Sequence, residues 1–139
     1  MSGGQIQTGG AGGVIRGEFI EGSTITFLAY LTYQGRALTN LDVQGFVSIA
    51  VYQRSGATPS TAIYSSTTFA TSTAAVLITP STTGWDRDDI GYNFNVTVPS
   101  TYFSQEGGMN YRFEFTIPLV TSGQNMPVIF ELFCRGSVA

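Results

Sequence analysis

The sequence predicts an all-β domain, an antiparallel sandwich or small barrel of about seven to eight strands, behind a flexible N-terminal arm. Three observations predict it. Apolar and polar residues alternate with a period of two through most of the chain after Val14. β-Branched and aromatic residues dominate these runs, and Gly, Pro and Asn separate them. No stretch repeats its apolar residues with a helical period of 3.6.

Residues 1–13 hold six glycines and bury too little to offset the entropy of ordering them, so they are expected to form a mobile arm. Residues 14–139 are expected to form one domain, as 139 residues leave little room for a second. The first strand is expected near Val14–Ile20. In Ser23–Gln34, Ile25, Phe27, Ala29, Leu31 and Tyr33 share one face and Thr24, Thr26 and Thr32 the other, and Gln34-Gly35-Arg36 breaks the run. Gly45–Arg54 follows, with Val47, Ile49 and Val51 inward. A weaker strand is expected over Ala62–Ser65, and a short buried one over Ala74–Thr79, ended by Pro80.

Three well-alternating strands complete the domain. In Ile90–Val98, Tyr92, Phe94, Val96 and Val98 face inward and Asn93, Asn95 and Thr97 outward. In Met109–Ile117, Tyr111, Phe113, Phe115 and Ile117 oppose Arg112, Glu114 and Thr116. In Pro127–Arg135, Phe130, Leu132 and Cys134 oppose Glu131. Glu114 and Glu131 are expected to pair across strands with Arg112 and Arg135 on an outer face, for at most about 1 kcal/mol each.

Composition limits the function classes. Charged residues make up 11% of the chain, under half of the roughly 25% usual in a soluble domain. The surface must therefore be largely neutral, which suits a subunit packed into an assembly better than a lone monomer. The net charge is −3, there is no Lys, and the six Arg stand singly. Nucleic-acid binding needs clustered cations, so none is expected. No window approaches 18 consecutive apolar residues and the N-terminus has no signal-peptide pattern, so neither a membrane span nor secretion is expected. The single cysteine, Cys134, lies in an apolar run and is expected to be a buried core residue.

Catalysis is not expected. With no His, the commonest general base and metal ligand is missing, and with no Lys so are Schiff-base and Walker-type chemistries. No cofactor or metal is expected. The loop Trp85-Asp86-Arg87-Asp88-Asp89 holds the only clustered acids. Its better reading is a turn capped by Asp side chains, ahead of a paired-carboxylate or calcium site. Asn95-Val96-Thr97 matches a glycosylation acceptor but lies mid-strand and is read as chance.

Three stretches carry a resemblance: Thr79-Pro80-Ser81-Thr82-Thr83-Gly84-Trp85-Asp86, then Ile90 to Pro99, then Gly108-Met109-Asn110-Tyr111-Arg112-Phe113-Glu114-Phe115. Together with Gly22 to Phe27 and Tyr33 to Leu38, they resemble small β-sandwich proteins of tailed-bacteriophage virions. The resemblance covers most of residues 20–133. It implies an immunoglobulin-like sandwich and a structural virion component, carried in the particle and made in the host cytoplasm. One such class is the capsid decoration, or cement, proteins, which are small and often trimeric and often reach neighbouring shell subunits with an N-terminal arm.

The leading expectation is therefore a cement subunit, a homo-oligomer, that binds the major capsid protein. Its arm, ordering on contact, would add a strand to a neighbour's sheet edge. Gln5, Ile6, Gln7 and Val14 are the expected partner-binding residues, Ile6 being the only large apolar side chain between Met1 and Val14. The first alternative is a tail, baseplate or fibre-attachment module. A second is a carbohydrate-binding module with Trp85, Tyr92 and Tyr102 as a stacking platform.

Overall fold

The computed structural model describes residues 5–8, 14–54, 62–85, 89–121 and 123–136. Its strands, in chain order, are β1 (Gln5–Thr8), β2 (Val14–Ile20), β3 (Ile25–Ala29), β4 (Thr32–Tyr33), β5 (Arg36–Ala37), β6 (Phe46–Arg54) and β7 (Tyr64–Thr71). After one helical turn, α1 (Ser72–Ala75), come β8 (Val76–Ser81), β9 (Tyr92–Val98), β10 (Asn110–Pro118) and β11 (Asn125–Arg135).

Two sheets face each other. One has the order β1-β3-β9-β8 and the other β2-β11-β10-β6-β7, while β4 and β5 form a separate ribbon. The order β3-β9-β8 against β11-β10-β6 is that of strands B-E-D against G-F-C in the immunoglobulin arrangement, with β7 added beside C. The pairings within this frame are antiparallel. The two N-terminal strands depart from that: β1 runs parallel to β3 and β2 parallel to β11.

Alternation in the sequence places the core. Ile25, Phe27 and Ala29 of β3 and Phe94, Val96 and Val98 of β9 point across to Val47, Ile49 and Val51 of β6, Tyr111 to Ile117 of β10, and Val128 to Cys134 of β11, all on their inward positions. In an immunoglobulin domain of the antibody kind a disulfide joins strands B and F here. In this chain a ring cluster does so. Phe27 lies 5.0 Å from Phe113, 5.2 Å from Phe115 and 4.7 Å from Phe130, and Phe94 lies 5.8 Å from Phe115. Tyr111, at the start of β10, is fully buried. Its hydroxyl donates to the Ser104 carbonyl at 3.3 Å and accepts from the Glu106 amide at 2.8 Å. That is the tyrosine corner of immunoglobulin-like sandwiches, which ties the crossover loop to the strand it enters.

Several strands differ from expectation. The run Ser23–Gln34 is not one strand: β3 stops at Ala29, and the chain resumes as the β4–β5 ribbon. The ribbon turns on Gln34 and Gly35, with φ of 55° and 78°, the positive pair required by a two-residue type I′ hairpin. The strand expected over Ala62–Ser65 runs on to Thr71. The one expected over Ala74–Thr79 begins only at Val76, because the chain must cross from the second sheet to the first, and α1 makes that crossing. Nor is it buried: Val76 is, but Ile78 is exposed. Pro80 lies inside β8 rather than ending it. β8 is an edge strand, where a missing N–H costs no ladder bond on its open side. The expected eight strands are thus joined by β1 and, through the split of the second, by the ribbon.

Candidate functional site

Leu41, the most exposed large apolar side chain among the described residues, lies with Val120 and Phe46 where the β3–β6 connection meets the β10–β11 turn; Ile78 of β8 and Ile90 of the β8–β9 loop are about as exposed as Val120. The connection and the turn correspond to the B–C and F–G loops, which in antibody variable domains carry the binding surface. The connection is fastened there by main-chain bonds. The Val120 amide donates to the Asp42 carbonyl at 2.9 Å, the Gln44 amide to the Pro118 carbonyl at 3.1 Å, and Val43 bridges Leu119. The Gln44 side chain donates to the Leu119 carbonyl at 3.0 Å.

Two polar devices stiffen this end. The first is Asn93, on β9, fully buried under the ribbon. Its Oδ1 accepts from the Leu31 amide at 2.7 Å, and its Nδ2 donates to the carbonyls of Leu31 and Leu38, each at 2.8 Å. Alternation had placed Asn93 on the solvent side with Asn95 and Thr97. The ribbon covers that side locally, so the position is outward from the core yet inaccessible to water. The second device is Asp42, whose carboxylate takes a two-pronged bond from Arg36 at 2.8 and 2.6 Å. It also accepts the Thr39 amide at 2.9 Å and the Thr39 hydroxyl at 3.2 Å. Arg36 in turn lies over the Tyr33 ring, 5.9 Å from its centre.

The Arg36 guanidinium, with the Thr39 donors, holds the Asp42 carboxyl down to about 2 from an ordinary 3.8, against the opposing effect of burial. Because the folded state holds this proton more weakly than the unfolded chain, the contribution to stability is complete above pH 4 and is lost as pH falls toward 2. Because the Arg36 side chain is half exposed, solvent screening keeps the stake to about 1 kcal/mol. Acid titration of unfolding free energy is expected to show that loss, and Asp42→Asn is expected to flatten it while lowering stability at pH 7. A variant with the same acid slope as the parent would show that the pair carries no net stability.

On this stiffened base Leu41 is 76% exposed, Val120 53% and Phe46 48%. Beside them an open groove of about 490 Å³ is lined by Tyr33, Leu119, Met126 and Pro127 among others. The alternation of the strands does not reveal this surface, because Leu41 and Val120 lie in loops and Phe46 only opens β6. The one sequence signal is Leu41, a lone large apolar residue inside the polar turn Thr39-Asn40-Leu41-Asp42.

The expected partner-binding residues lie elsewhere. Gln5, Ile6 and Gln7 are in β1, at the edge of the first sheet, and Val14 opens β2 in the second. The rest of the expected arm, residues 1–4 and 9–13, lies outside the described residues. The aromatic platform is not assembled. Trp85 is buried 5.8 Å from Tyr92 at the start of β9, whereas Tyr102, beyond its far end, stacks on Tyr64 at 4.9 Å. Asp86 and Asp88 lie outside the described residues, and among the described residues no three His, Cys, Asp or Glu gather as a metal site. Cys134 is buried, and that burial pushes its thiol up to about 11, with the charge of Glu21 adding to the effect.

The described charges of β2, β10 and β11 on the outer face of the second sheet are paired within the chain. Glu131 takes Arg16 at 2.8 Å and Arg112 at 3.0 Å, and Arg112 also holds Glu114 at 2.6 Å. Arg135, expected to pair with Glu114 or Glu131, instead faces Glu18 on the neighbouring β2 at 3.7 Å, because β2 rather than β10 lies along its side of β11. Comparison with family models, curated proteins and solved structures finds no match.

Proposed function

We propose that this chain is a structural virion subunit, a decoration protein that binds and stabilises the shell of a tailed bacteriophage by non-covalent contact with the major capsid protein. The observation that carries the reading is the apolar loop end: Leu41, Val120 and Phe46 exposed at one end, where Asn93 and Asp42 pin the β3–β6 connection and the Val120 amide bonds to it. Large apolar side chains on a pre-stiffened surface lose little entropy on docking, which favours recognition of a fixed partner. The largely neutral surface and the three stretches that resemble phage virion sandwiches support the same reading. Burial of such side chains contributes about 1.5–3 kcal/mol each, modest for one copy and large when many copies bind one shell.

The test is binding of the purified chain to undecorated shells. Leu41→Asp combined with Val120→Asp is expected to weaken it by at least about tenfold, the equivalent of 1.4 kcal/mol. Both side chains are exposed, so the fold should survive, and circular dichroism checks that it has. Unchanged binding by the folded variant would refute the loop end as the contact. Binding of the parent chain to purified tails and not to shells would move it to a tail or baseplate role.

A further inference from the structure

The strand β1 has an unusual place. It lies at the edge of the first sheet, while β2, the next strand, lies in the second. The two are therefore not a hairpin, and β1 is held mainly by four parallel rungs to β3: Gln5 to Thr26, Ile6 to Phe27, Gln7 to Leu28 and Thr8 to Ala29. The edge that it covers needs covering. In β3 every residue is buried except Thr26, which is half-buried, and an open apolar edge of that kind invites another strand. Yet β1 itself, Gln-Ile-Gln-Thr, carries none of the charges or prolines by which edge strands usually avoid intermolecular pairing. The sequence that joins β1 to β2, Gly-Gly-Ala-Gly-Gly, has no side chain larger than a methyl group.

We infer that β1 is an exchangeable strand, and that in crowded assemblies the β3 edge of one copy is filled by β1 of a second copy. The same four rungs form within a chain or between chains, so strand pairing itself is neutral between the two. What decides is concentration. A short glycine-rich linker holds β1 near its own β3 at an effective concentration of the order of millimolar. A dilute chain therefore closes on itself. When copies are packed side by side at comparable local concentration, exchange competes and ties neighbours together without any new surface. This deepens the assembly reading by naming the partner of the arm as another copy of the chain, and its test needs no shell, so its failure is separate from failure of shell binding.

Full-length Gln5→Cys/Thr26→Cys places a cysteine pair on facing rungs, where parallel neighbours have the spacing of a disulfide. Cys134 is buried and stays out of the reaction. Oxidation at about 1 µM, far below the effective concentration set by the linker, is expected to give the intrachain link, and at about 1 mM, comparable with it, the interchain fraction is expected to rise at least tenfold. Peptide mapping should find the same 5–26 bond in both products. Intrachain links at both concentrations would overturn the inference, as would no link at all. So would an equal interchain yield from Gln5→Cys/Thr67→Cys, which pairs β1 with an exposed site on β7, at the edge of the other sheet.

Discussion

Replacing Asn93 by leucine is expected to cost about 3–5 kcal/mol of unfolding free energy, a large share of the roughly 5–15 kcal/mol available to a domain. The side chain makes three hydrogen bonds at 2.7–2.8 Å, all to the main chain of the ribbon connection. Leucine has nearly the same size but neither donates nor accepts. The Leu31 amide and Leu38 carbonyl would be left buried without partners. The Leu31 carbonyl would keep one, the Leu38 amide at 2.9 Å. Each orphaned buried group costs about 1–3 kcal/mol, and the bonds themselves were worth about 1 kcal/mol each. Asn93→Asp should be no milder, since a carboxylate presents lone pairs to two carbonyls that now receive N–H donors. Urea unfolding measures the loss, and hydrogen exchange at the Leu31 amide locates it. A cost below about 1 kcal/mol would mean that the ribbon docks by its apolar contacts alone.

Phe27→Ala is expected to be comparably severe, about 3–5 kcal/mol, and to lower the melting temperature by roughly 10–20 °C. Phe27 is the ring of the first sheet that touches three rings of the second, on β10 and β11. Its removal loses both the transfer free energy of a buried phenyl group and the dispersion contacts around the space left behind. Rings fixed by a strand on each side cannot close that space without moving the sheets. Phe27→Leu keeps most of the volume and should cost about 1.5 kcal/mol or somewhat more. Near-equal melting temperatures for the alanine variant and the parent would show that the cluster repacks freely and does not substitute for the inter-sheet disulfide.

The two predictions mark the two ways in which the sequence could be read. Phe27 was legible. It sits in an alternating run with Ile25 and Ala29, and alternation alone assigns it to the core. The same holds for Val47 to Val51, for Phe113 to Ile117 and for Phe130 to Cys134, all inward as their spacing requires. Asn93 was not legible. Its neighbours Asn95 and Thr97 obey the same period and are at least partly accessible, whereas Asn93 is enclosed by a ribbon from a distant part of the chain. Leu28, on the outward face of β3, is likewise buried apart from the main cluster. The stacking platform expected of Trp85, Tyr92 and Tyr102 did not assemble, because Trp85 turned inward and Tyr102 found other rings. The apolar loop end, by contrast, has no periodic signal.

Taken by itself, the order of residues determined the all-β class, most strand positions and the inward side of the clearly alternating strands β3, β6, β9, β10 and β11. These depend on a period of two between near neighbours, and the hydrophobic effect acts on that period wherever a sheet has one dry face. Tertiary structure alone decided which outward positions are covered, that a helical turn precedes β8, that β1 seats on β3, and that Leu41, Val120 and Phe46 share one end. Those outcomes hang on which loops and edges fold over which faces, and contacts between residues dozens of positions apart leave no local pattern to read.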